Sequence, residues 1–146
     1  MVNEPPRREA RRIPRGRKLD GEIAAGAVDV DKARAEAFAA TYKIPRVFTS
    51  LDDAIAWGAF DAAANVTPDS AHHPTTLALI GAGKHVFCEK PLAENHAKAL
   101  EMTAAAGGAG LVNMVNLTYR NVAALQKART MVMAGEIGEV RHVDAS

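Results

Sequence analysis

The sequence predicts an α/β fold whose centre is an open, doubly wound parallel sheet. Two observations predict it. Short apolar runs alternate with longer stretches rich in Ala, Glu, Lys and Arg along most of the 146 residues. Between them fall Gly, Pro, Ser and Asp residues that stop one element and start the next. Strands separated by helices at this spacing require right-handed crossovers, which make the sheet parallel and place helices on both of its faces.

The elements follow in order. Glu22–Val28 reads as a strand closing on Asp29, and Lys32–Tyr42 as a helix. Arg46–Phe48 is a short strand, after which Ser50 can cap the helix Leu51–Ala56, with Asp53 at the capping-box position. Asp61–Val66 is a strand stopped by Pro68, and Ala71–Ala82 a helix ended by Gly81 and Gly83. His85–Cys88 is a strand. Asn95–Ala106 is a helix stopped by Gly107 and Gly108. Leu111–Val115 is a strand, Asn121–Ala134 a helix with Gly135 beyond its end, and Val140–Ala145 a last strand.

The length fits one domain. The hydrophobic fraction is 48%, but alanine inflates it and buries little area per residue, so thin helix–sheet packing of modest stability is expected. A formal net charge of +1 gives the whole chain no basic field pointing to nucleic acid or an anionic membrane. The lone Cys88 excludes an internal disulfide framework and a multi-cysteine zinc site, and no metal is expected. With no signal peptide in the sequence, a reducing cytoplasm is the expected compartment. No apolar run is long enough to span a bilayer: the longest, around Ala78–Ala82, is broken by Gly81 and Gly83.

Residues 1–20 stand apart. Arg7, Arg8, Arg11, Arg12, Arg15, Arg17 and Lys18 crowd together with Pro5, Pro6 and Pro14. The composition reads as a disordered basic tail; the rival readings are an arm for nucleic acid or another anionic partner, or unrelated sequence in place of the domain's natural start.

An open parallel sheet binds its ligand at the carboxyl ends of its strands, so the residues there carry the chemistry. Asp29 can accept hydrogen bonds from both ribose hydroxyls of an adenosine and would repel a 2′-phosphate, favouring NAD over NADP. The competing account makes it a helix N-cap, a role for which Asp31 also qualifies. Thr67 can donate a hydrogen bond and Pro68 fixes a turn, although this pair is also a common strand-to-helix connection. His72 and His73 open the next helix, where an adjacent pair cannot both face one site. Glu89-Lys90-Pro91 is the sharpest local signal. Packing does not explain a lysine at the end of a buried strand, and Pro91 holds Lys90 out of helical geometry; the bond between them can be cis. In a partly dry cleft an ammonium loses its proton more easily and can serve as general acid or base on a substrate hydroxyl. The bland alternative is a snorkelling surface lysine. Asn116, Tyr119 and Arg120 bring polar groups to the same edge, where Arg120 either orients a substrate or caps neighbouring carbonyls.

Val66-Thr67-Pro68-Asp69-Ser70-Ala71-His72, followed by Gly83-Lys84-His85-Val86-Phe87-Cys88-Glu89-Lys90-Pro91-Leu92, resembles the oxidoreductase family grouped as glucose–fructose oxidoreductase, inositol dehydrogenase and MocA. Asn116-Leu117-Thr118-Tyr119-Arg120 and Gly135-Glu136-Ile137-Gly138-Glu139-Val140 fit it in order and spacing, and the resemblance runs from about Glu22 to Ser146. It implies a Rossmann-type domain holding NAD or NADP, a second, mostly antiparallel domain holding a sugar or polyol, and hydride transfer between a carbinol carbon and nicotinamide. By position it gives Asp29 the ribose-binding role; Thr67, Pro68 and His72 the cofactor-side turn; Glu89, Lys90 and Pro91 the motif whose lysine assists proton transfer; and Asn116 and Arg120 a place beside the cofactor. It also implies a homo-oligomer in the parent enzyme. The family's first strand and GxGxxG loop are not found before Glu22, so the Rossmann-type sheet is expected to be incomplete. In strand order 3-2-1-4-5-6 the missing strand is central, leaving open edges on its two neighbours. The expected division is a tail over 1–20, a truncated nucleotide-binding domain over 21–138 and the first strand of a substrate domain over 139–146. The rival functions are a non-catalytic nucleotide-binding remnant or interaction module, and a nucleic-acid-associated protein acting through the Arg-rich segment.

Overall fold

A computed structural model describes residues 24–144. The basic segment 1–20, with the readings attached to it, lies outside the described residues. Two parallel sheets form. In the first, β1 (Ala27–Val28) pairs with β2 (Val47–Phe48). In the second, β4 (His85–Cys88) lies between β3 (Ala62–Asn65) and β5 (Asn113–Val115). Every pairing is parallel, as the strand–helix alternation requires. β1 and β3 are both edge strands among the described residues, the two edges that the expected order leaves open. The long first strand is reduced: residues 24–26 pair with nothing in a ladder, and Glu22 and Ile23 lie outside the described residues.

Local chemistry places the helices. α1 (Lys32–Tyr42) starts where the Asp31 carboxylate accepts from Arg34 N and ends on Lys43 in the left-handed region. α2 (Leu51–Trp57) starts at Ser50, whose hydroxyl accepts from Asp52 N and Asp53 N. α3 (Asp69–Gly81) begins directly after Pro68, two residues earlier than the sequence suggests. α4 (His96–Ala109) corrects another expectation. It runs through Gly107 and Gly108 and stops only where Gly110 turns left-handed at φ 67. A helical glycine costs only about 1 kcal/mol relative to alanine, and the buried Ala106 anchors that last turn.

A 3-10 turn, Thr118–Asn121, precedes α5 (Ala123–Met133), so this helix begins later than expected. Residues 140–144 form no strand: a strand exists through a partner's hydrogen bonds, and none is formed there among the described residues. No described helix is long and apolar enough to cross a membrane.

The core is small, as the composition predicts. Leu79 and Ile80 of α3, Val86 and Cys88 of β4, and Met102 and Ala106 of α4 make up its buried cluster. Around β1 and β2 the buried groups are mainly alanines: Ala27, Ala35, Ala39 and Ala54. Lys84 donates to Gly58 O at 2.9 Å and Phe60 O at 2.7 Å, with its ammonium 4.5 Å from the Phe60 ring centre, tying the end of α2 to the start of β4.

Candidate functional site

The register of the second sheet builds the site. Asn65 pairs with Cys88, and Cys88 with Val115. The three strands therefore end in one row, and the residues after them form a common rim.

Asn65 organises the β3 end and was not foreseen. It is buried. Its amide nitrogen lies 2.6 Å from Thr75 Oγ1, 3.0 Å from Thr76 Oγ1 and 3.3 Å from His72 O, all on α3. Its Oδ1 accepts from Thr67 Oγ1 at 2.7 Å and Thr67 N at 3.3 Å. An asparagine inside a run of alanines, in a strand that disfavours it, was the available signal. Thr67, expected to donate a hydrogen bond, gives its hydroxyl proton to Asn65.

His72 also departs from expectation. It is 1% exposed, with Nδ1 2.7 Å from Pro91 O and Nε2 2.8 Å from Thr67 O. Both ring nitrogens therefore engage backbone and neither is free for a cofactor. His72 lies beneath the Thr67–Pro68 turn and joins it to the lysine loop. His73 points elsewhere and meets Glu101 of α4 at 2.8 Å.

At the β4 end, Glu89 N donates to Asn65 O at 2.9 Å, which ties the loop to β3. The Glu89 carboxylate accepts from the Asn116 side-chain amide and, at 3.1 Å, from Lys90 N. The Asn116 hydrogen bond, then the Lys90 N–H, hold this carboxyl below its usual range. Asn116 N donates to Cys88 O, joining β5 to the same network. Burial pushes the neighbouring Cys88 thiol up and leaves it a packing group. Lys90 itself is exposed, and its ammonium forms no ion pair with the described residues. The partly dry cleft expected around it is not supplied by those residues. The Lys90–Pro91 peptide is cis.

Asp29 follows β1. Asp31 takes the N-cap of α1, which settles the competition between them. The Asp29 carboxylate accepts from Asp31 N at 2.9 Å and meets Arg34 Nη1 at 3.4 Å. Arg34 was not foreseen, and its place three residues after the cap is the only sequence signal for it. Arg120 is exposed on the 3-10 turn, where its backbone carbonyl accepts from the Gln126 amide. Its guanidinium caps no carbonyl among the described residues.

The model of the oxidoreductase family with an NAD-binding Rossmann fold matches residues 8–117, starting within the basic segment rather than at Glu22. The chain is 37% identical over 122 residues to a 1,5-anhydro-D-fructose reductase of Ensifer adhaerens, covering 84% of this chain and 36% of that protein. It is 37% identical over 81 residues to an NADP(+) scyllo-inositol 2-dehydrogenase of Bacillus subtilis, covering 56% of this chain and 25% of the other. A dehydrogenase of Bordetella pertussis, solved with NADH and UDP-GlcNAcA, is 30% identical with a TM-score of 0.72 and covers 76% of this chain and 34% of its own. The chain thus spans about a third or less of the length of these relatives. With the parallel register, the Glu-Lys-Pro loop and a family match over most of its length, the chain belongs to the glucose–fructose oxidoreductase, inositol dehydrogenase and MocA family of oxidoreductases with an NAD-binding Rossmann fold.

Proposed function

We propose that the chain is the nucleotide-binding part of an NAD(P)-dependent oxidoreductase of sugar- or polyol-like substrates, in which Lys90 moves a proton at the substrate hydroxyl. The observation that carries this reading is the shared rim. Thr67, Lys90 and Asn116 follow strands that end in one row, and Lys90 is anchored there through its own N–H on Glu89.

The donor set fits the adenosine and nicotinamide ends of such a cofactor. Asp29 is a carboxylate at a strand end with acceptor capacity beyond its bond to Asp31 N, suited to ribose hydroxyls. Thr67, Pro68 and Asn116 would flank the nicotinamide side, with the Glu89–Pro91 loop next to them and Arg120 beyond. The bound nicotinamide would supply the hydride chemistry; the chain's own residues bind, orient and hold the proton at Lys90 Nζ. Asp29 favours NAD by repelling a 2′-phosphate, and Arg34 beside it reduces that preference without reversing the carboxylate's role. The family's pyrophosphate-binding GxGxxG does not occur in the 146 residues. Assembly of the parent enzyme as a homo-oligomer belongs to the same proposal.

Two measurements test it. Titration calorimetry with this chain is expected to give weak NAD binding or none, with a dissociation constant around 1 mM or higher, and any binding should be lost in Asp29→Ala. Micromolar binding that survives Asp29→Ala would refute the assignment of Asp29 and the weight given to the glycine loop. In a chain supplied with a relative's glycine loop and substrate domain, Lys90→Ala should lower kcat by about 10²-fold or more, the usual range for a lost general acid–base group. Near-normal turnover would remove Lys90 from the reaction.

A further inference from the structure

His72 is buried, yet each of its ring nitrogens lies against a backbone carbonyl: Nδ1 2.7 Å from Pro91 O and Nε2 2.8 Å from Thr67 O. A carbonyl oxygen can only accept. A neutral imidazole has one N–H and one lone pair, so it can satisfy only one of these contacts while the other sets two lone pairs against each other. The imidazolium satisfies both, with charge-assisted bonds. We propose that His72 is a positioning residue that carries both ring protons and through them clamps the Thr67–Pro68 turn to the Lys90–Pro91 loop.

The surroundings are consistent with a buried cation. Glu89, after β4, is the carboxylate that interacts with His72, and its own hydrogen bonds favour its ionised form. Cys88 and Lys90 flank Glu89 in the chain, Asp69 and His73 share α3 with His72, and His73 engages Glu101 of α4. The remaining polar groups beneath the turn already have partners: Asn65 bonds to Thr67, Thr75 and Thr76, and no buried side-chain nitrogen or oxygen among the described residues lacks one. Among the described residues, His72 is thus the single side chain that bonds to both loops. That the clamp positions Lys90 for chemistry rests on the function proposed above; the clamp itself does not.

The test uses this chain with its histidines labelled with nitrogen-15. Two-bond nitrogen–proton correlation spectra are recorded at pH 7.5, about one unit above the ordinary histidine value, where a free imidazole is mostly neutral. The expected result is one histidine, missing from the spectrum of His72→Phe, with both ring nitrogens at protonated positions. A single protonated nitrogen for His72 would overturn the proposal. The second readout is amide exchange at Thr67 and Lys90. Raising the pH until the ring loses a proton should speed exchange several-fold at both amides together, and so should His72→Phe. Unchanged exchange at Lys90 on ring deprotonation would also overturn the clamp. A His72→Phe chain that fails to fold leaves the proposal testable, because single substitutions of His73, His85, His96 and His142 assign the His72 signal by elimination and the pH dependence of exchange is read on wild-type protein. Neither readout involves cofactor or substrate, so failure of the clamp is read in these spectra, whereas failure of the oxidoreductase reading is read separately in the turnover of Lys90→Ala.

Discussion

Replacing Asn65 with alanine probes the β3 end directly. Asn65 is 4% exposed. Its Oδ1 takes two bonds from Thr67, at 2.7 and 3.3 Å, and its amide group reaches Thr75 and Thr76 at 2.6 and 3.0 Å. Alanine deletes all of these. The stranded groups do not lose every partner, because Thr75 Oγ1 still donates to Ala71 O at 2.6 Å and Thr76 Oγ1 still lies 4.0 Å from Cys88 Sγ. The loss is therefore the net value of two or three hydrogen bonds, about 1 kcal/mol each, plus a small unfilled space, for a total of about 2–4 kcal/mol. With a urea m-value of about 2 kcal/mol per M, the unfolding midpoint should fall by roughly 1–2 M. Thr67→Val should cost about 1 kcal/mol or less, since Thr67 is exposed. The double variant should be scarcely weaker than Asn65→Ala alone, because the two changes remove the same bonds. Equilibrium urea unfolding followed by circular dichroism measures all three. A midpoint shift below about 0.3 M for Asn65→Ala, or full additivity with Thr67→Val, would refute the claim that Asn65 holds the turn.

Other perturbations follow from the same geometry. The Glu89 carboxyl is held below its ordinary value of 4.5, so the stability it contributes is fully present above that pH and is lost as pH falls through its lower folded value. Wild type should therefore lose stability below about pH 4.5 more steeply than Glu89→Gln, and parallel acid-unfolding curves would contradict this. Lys84→Met removes two carbonyl bonds, at 2.9 and 2.7 Å, and the contact with the Phe60 ring. It should cost about 1–2 kcal/mol in urea unfolding while the apolar stem keeps its packing; a loss indistinguishable from zero would show that the ammonium is merely solvated.

Much of the architecture was legible in the residues. α1 spans Lys32–Tyr42 and β4 spans His85–Cys88, both as read from the sequence. Ser50 caps α2 as its hydroxyl and position dictate. These features are local: a cap or an apolar run is decided by neighbours within a few residues. Errors arose where distant partners decide. Gly107 and Gly108 look like helix stops, but Ala106 is buried beneath the sheet and the helix continues to Gly110. Val140–Ala145 has the composition of a strand, yet no described strand lies beside residues 140–144 to make it one.

The candidate site divides in the same way. The sequence alone placed Asp29, Thr67, Glu89, Lys90 and Asn116 after strands of a parallel sheet, because alternation and turn residues fix which end of each strand leads into a helix. The hydrogen-bond assignments came only with the tertiary structure. It made Asn65 the acceptor of the Thr67 hydroxyl and set His72 as a bridge between two carbonyls. The physical reason is that a polar side chain's role depends on which donors and acceptors surround it once water is excluded. Glu89 and Asn116 are such a pair, 27 residues apart in the chain, and only strand register brings them together.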